Sequence, residues 1–254
     1  MSEAQTAQPP TGQAMPLFFK RVVGVNPALH GGLRLDRSGG YGFAAKAQSA
    51  PLGLGEFDAA CQHYPILFTS GATPTPVALL GLSEGTNLFV SPSGAWRPDT
   101  YVPAYVRAFP FIFVEDATSK SLFVGMEPDA DSIVPDTYAP RGAPLFEDGK
   151  PTAVLNEAIS FCSAFRDNMA AAAALGRALD AAGLLEEEEA TVNFTAGGTA
   201  KLRGFKILRA DRLDQVADET YLDWRRRGWI SAIYAHLHSA ARWGRLIELA
   251  APKG

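Results

Sequence analysis

Between Thr152 and Ala182 apolar side chains recur every third or fourth residue, at Leu155, Ile159, Cys162, Phe165, Met169, Ala172, Leu175 and Leu179. At 3.6 residues per turn this spacing draws one continuous stripe along a helix about 45 Å long. A stripe of that length must be covered by other elements, so it dictates what the rest of the chain has to supply. Thr152 is placed to cap its start, and Gly183 is placed to end it as a left-handed residue.

The chain ahead of this helix is built differently. From Met15 to about Val134, short apolar runs are cut by Gly, Pro, Asn and Asp, the pattern of strands joined by tight turns. The candidate strands are Phe18–Val23, Tyr41–Ala45, Ile66–Thr69, Val77–Leu82, Asn87–Val90, Phe111–Glu115 and Ser121–Met126. Ser83-Glu84-Gly85-Thr86 reads as a four-residue hairpin loop with Gly85 at positive φ. Helical pieces are expected at Leu54–Gln62 and Thr100–Phe109, the latter with Pro103 in its tolerant first turn.

Beyond the long helix, Glu186–Glu189 reads as a solvated connection. Ala190–Thr195 and Leu202–Leu208 alternate as a hairpin around Ala196-Gly197-Gly198-Thr199. Asp211 caps a short helix, and a last helix carries Trp229, Ile233, His236, Leu237, Ala240 and Trp243. Strands followed by helices, with no fixed repeat, define an α+β protein: a strand-rich N-terminal half packed against long C-terminal helices, with a small hairpin between them. Residues 1–14 are expected to be a disordered polar leader and 15–254 a single domain, with subdivision near 140–151 as the alternative.

Composition removes several classes of function. A net charge of −4 lacks the basic excess that drives binding to phosphate backbones, so nucleic acid is not an expected partner. The longest uncharged stretch, Tyr64 to Ser83, is broken in its middle by Thr69-Ser70-Gly71-Ala72-Thr73-Pro74-Thr75-Pro76, so no transmembrane segment is expected. The N-terminus has neither the basic start nor the apolar core of a secretory signal, which points to the cytoplasm. Two cysteines, Cys61 and Cys162, cannot form a disulfide framework.

Catalytic signatures are sparse. Cys61-x-His63 and His236-x-His238 are the metal-like spacings, but helical positions two apart point about 200° from one another, so His236 and His238 cannot share an ion. No metal and no cofactor is expected. There is no G-x-S-x-G elbow, and the glycine clusters at Gly31-Gly32, Gly39-Gly40-Tyr41-Gly42 and Gly197-Gly198 lack a phosphate-binding pattern.

Two polar and aromatic clusters remain as contact candidates. The first is Trp96, Tyr101, Tyr105 and Arg107, with Tyr101 and Tyr105 expected on one helix face as an anion or peptide groove. The second is Trp224, Arg225 and Trp229, since Trp and Arg are enriched among interface anchors. His63 and Tyr64 are the alternative acid and base of a small-molecule enzyme whose cleft would lie between the strand-rich half and the long helix.

His63-Tyr64-Pro65-Ile66-Leu67-Phe68, Val77-Ala78-Leu79-Leu80-Gly81-Leu82, the block from Trp96 through Tyr101-Val102-Pro103-Ala104-Tyr105-Val106-Arg107 to Pro110-Phe111, and Gly228-Trp229-Ile230 with Ile233-Tyr234-Ala235-His236-Leu237 resemble the SapC-like family of bacterial proteins. The resemblance spans roughly residues 15–250 and transfers no catalytic residue. It implies an association with the surface layer or with outer-membrane uptake, which makes the cell surface, reached by a non-classical route, the alternative to the cytoplasm. The leading expectation is therefore a non-enzymatic binding or accessory protein with a protein partner, and with a small molecule or peptide as a further ligand class. A small-molecule enzyme and a self-assembling structural subunit are the alternatives.

Overall fold

The computed structural model describes residues 15–115, 121–137, 141–193 and 198–251. The leader at 1–14 and residues 194–197 of the expected C-terminal hairpin lie outside these. The fold is α+β, and the chain divides into two compact units. One comprises Met1–Phe43 and Arg107–Arg166, the other Ala44–Val106 and Asp167–Gly254. The described residues of 141–151 fall within the first unit.

In the first unit, Val23–Gly24, Leu122–Met126 and Phe111–Glu115 form an antiparallel sheet in that order. A second sheet orders Ile133–Pro135, Leu33–Leu35 and Ala143–Pro144, and Phe146–Glu147 pairs with Lys150–Pro151 as a hairpin. Phe19, Leu35, Phe111, Met126, Leu145 and Leu155 are among the residues that close its core. The strand expected over Phe18–Val23 shrinks to Val23–Gly24 because a carboxylate intercepts its backbone. Buried Glu127 accepts from Lys20 N at 2.6 Å and Arg21 N at 3.0 Å through Oε2, groups that would otherwise seek a neighbouring strand. Gly125 is required here, since a Cβ would lie 2.3 Å from Val22 Cγ1.

The second unit is organised on a five-stranded antiparallel sheet ordered Leu185–Asn193, Thr199–Leu208, Ile66–Thr69, Pro76–Leu79 and Ser49–Pro51. Phe57, Tyr64, Ile66, Phe68, Leu80 and Leu175 are among its largest fully buried side chains. The Ser83–Thr86 turn closes, with Thr86 N donating to Ser83 O at 3.2 Å and Gly85 at φ 72°, but it is not the loop of a strand hairpin, since the strand before it ends at Leu79 and the one expected after it is missing. Asn87–Val90 does not become a strand: Val90 makes an isolated bridge to Trp96, and the buried Asn87 amide accepts from Phe89 N and donates to Ala44 O, taking Phe89 N from any neighbouring strand. Tyr41–Ala45 likewise holds a short 3-10 turn, Gly42–Ala44, in place of a strand.

Glu186–Glu189 is not a connection. It belongs to the nine-residue strand Leu185–Asn193 at the sheet edge, with a bulge between Glu188 and Ala190. Exposed Glu187, Glu188 and Glu189 charge that edge, a common protection against pairing with other chains. Asp211 does not cap the following 3-10 helix Ala210–Gln215, whose N-cap is Arg209. It pairs with the Arg209 guanidinium at 3.1 Å instead.

The long helix runs Ala153–Ala181, with residues up to Arg166 belonging to the first unit and the remainder to the second. Leu155, Cys162, Ala172, Leu175 and Leu179 are buried along its stripe, and Ile159, Phe165 and Met169 are half-buried. Thr152 starts it through its carbonyl, which accepts from Asn156 N, while its hydroxyl donates backward to Pro144 O at 2.7 Å. The end is a Schellman motif: Gly183 at φ 69° donates to Asp180 O, and Leu184 N donates to Leu179 O. The expected final helix is two, Trp229–Ser239 and Arg242–Ala250.

Candidate functional site

The expected aromatic block is drawn together by a residue that sequence reasoning did not single out. Glu56, buried at the end of the 3-10 turn Leu54–Glu56, accepts from Gly53 N at 2.6 Å through Oε2. Its Oε1 accepts from Ala104 N at 2.6 Å and from the Tyr101 hydroxyl at 3.0 Å. The carboxylate thus supplies acceptors to the start of the short helix Ala104–Ala108, whose early N–H groups have no partner within the helix.

Tyr64 continues the network. Its hydroxyl donates to the Tyr101 carbonyl and accepts from Trp96 Nε1 at 3.3 Å. The ring is fully buried, edge-on to Phe89 at 4.6 Å, and burial pushes its phenol pKa well above the ordinary value. Trp96 is also buried. Glu56, Tyr64, Trp96 and Tyr101 therefore form one polar cluster whose hydrogen bonds set the course of the chain into the Ala104–Ala108 helix. A phenol held in its protonated form in this way is a hydrogen-bonding strut at neutral pH.

Tyr101 and Tyr105 do not share a helix face. The helix expected over Thr100–Phe109 begins only at Ala104, after Pro103, so Tyr101 lies in the segment before it. Tyr105 is half-buried on the helix. Arg107, in the first unit, sets its guanidinium 5.0 Å over the Phe161 ring, and its carbonyl accepts from Arg37 Nη1 at 3.0 Å.

His63, in the second unit, is half-buried, and desolvation followed by the charge of Arg242 lowers its pKa. Burial raises the Cys61 thiol, with the Asp58 charge adding to the effect, and its Sγ donates to Asp58 O at 3.3 Å. His236 is buried while His238 is exposed, as their spacing demands. His236 Nε2 accepts from Leu208 N at 3.1 Å, and its ring lies 5.2 Å from that of Phe68. Desolvation drives its pKa down to about 4, with the Ile66 backbone acting in the opposite direction. Among the described residues no group of three His, Cys, Asp or Glu side chains is arranged to hold a metal ion.

The Trp224–Trp229 segment joins the helix Asp218–Arg226 to Trp229–Ser239 through Gly228 at φ 73°. Both indoles are buried, Trp224 at 3 % and Trp229 at 7 % exposure, so they anchor the turn from beneath. Arg227 is held by Asp223 at 2.7 Å and lies 5.0 Å over the Trp229 ring. Arg225 and Arg226 are exposed, and neither has an ion pair among the described residues. Leu222, three and four positions earlier on the same helix face, is 44 % exposed.

The first unit also holds an open pocket of about 290 Å³, which the sequence did not foretell. Val25, Phe123, Val124, Phe146, Leu155 and Ile159 line it together with Gly24, Pro27, Gly149 and Pro151, and no charged side chain contributes. Its walls come from segments distant in sequence, so no local motif announces it.

No helix among the described residues is long and apolar enough to cross a membrane. The SapC family model matches residues 25–246 of the 254-residue chain. Comparison with curated proteins and with solved structures returns no match.

Proposed function

The chain belongs to the SapC family, and from that premise we propose that it works as a non-enzymatic binding or accessory protein that holds a protein partner through Arg225 and Arg226 at the end of the helix Asp218–Arg226. The observation that carries this reading is a pair of exposed guanidiniums with no ion pair among the described residues, presented on a backbone that two buried indoles hold in place. Exposed Leu222 adds apolar area on the same helix face. A surface fixed before binding loses less conformational entropy on association, and arginine offers planar, multidentate recognition of carboxylates. The partner face is accordingly acidic.

Trp224 and Trp229 act in this reading as positioning residues beneath the contact. Service to the surface layer or to outer-membrane uptake rests on the family resemblance. The Glu56–Tyr64–Trp96–Tyr101 cluster, buried at its first three members, supports a binding scaffold over an enzyme, because its hydrogen-bonding groups are engaged in ordering the chain.

The test is affinity capture from the native cell with the wild-type chain and with the double variant Arg225→Glu/Arg226→Glu, checked by circular dichroism for an unchanged fold. Loss of two charge-assisted contacts, each worth roughly 1.5–3 kcal/mol, lowers recovery of the partner by at least about tenfold. Equal recovery with both chains removes this helix end from the contact surface.

A further inference from the structure

We draw no further inference here: the strongest candidate, the open apolar pocket beside strand Val23–Gly24 and the Phe146–Pro151 hairpin of the first unit, is an unpartnered apolar face, and nothing in the structure shows what covers it.

Discussion

Acidification is expected to destabilise this protein through one imidazole. His236 sits buried beneath the five-stranded sheet's Leu208, whose N–H it accepts, and beside the Phe68 ring. Its pKa falls from 6.5 to about 4 on folding, chiefly because the charged form would lose its water. Protonation at Nε2 would also cost the acceptor that Leu208 N uses. Above pH 6.5 both folded and unfolded chains carry the neutral ring, and stability is unaffected. Between pH 6.5 and 4 the unfolded chain takes up a proton that the folded chain refuses, so stability falls as pH falls. Below pH 4 both forms are charged and the loss levels off.

The full shift corresponds to about 3 kcal/mol, of which about 2 kcal/mol is already lost at pH 5. Against a typical total of about 5–15 kcal/mol this is a large share. The assay is urea unfolding at pH 7.5 and pH 5 for the wild type and His236→Gln, whose amide oxygen can still accept from Leu208 N but does not titrate. His30 and His63, whose pKa values are also lowered, remain in both proteins and cancel in the difference. The wild type should lose about 2 kcal/mol more than the variant over this interval. Equal losses, or a His236 imidazole that titrates by NMR near 6.5 in the folded protein, refute the reasoning.

Glu56→Ala leaves Gly53 N, Ala104 N and the Tyr101 hydroxyl without this acceptor, and should lower stability by about 3 kcal/mol or more in thermal unfolding. A shift in midpoint no greater than that of an exposed substitution would show that the carboxylate does not hold the cluster. Gly176→Ala sets two effects against each other: helix propensity favours alanine by about 1 kcal/mol, but a Cβ would stand 1.9 Å from Pro74 O. The contact involves backbone and should win, so the variant unfolds at lower temperature; a rise would contradict the close approach. Burial pushes the Cys162 thiol up to about 11, so it should resist alkylation at pH 8 in the folded protein and react once urea exposes it. Rapid labelling of Cys162 in the folded state would refute its placement in the core.

Local features were legible from local residues. The helix Ala153–Ala181 follows from its apolar spacing, and its end from Gly183, because periodicity and backbone freedom act within a few residues. Strands Ile66–Thr69 and Phe111–Glu115 were legible as short β-rich runs bounded by turn residues. The opposite orientation of His236 and His238 follows from helix geometry alone. For the candidate contacts, the sequence indicated Trp96, Tyr101, Trp224 and Trp229 as aromatic clusters, but aromatic identity does not say whether a ring faces solvent or core.

Tertiary structure decided that question, burying three indoles and leaving Arg225 and Arg226 outside. It also turned Glu186–Glu189 into a strand, because Thr199–Leu208 offers its backbone as a partner and the carboxylates need only one solvated edge. Glu56 was invisible for a related reason: its partner Ala104 is 48 residues away, and nothing in the neighbourhood of a lone glutamate reports on so distant a donor. Leu208 and His236, 28 residues apart, are coupled in the same manner. Spacing along a chain carries the preferences of the backbone, whereas the partner of a buried polar group is chosen by which segments the fold brings together, and that choice is made only when water is excluded.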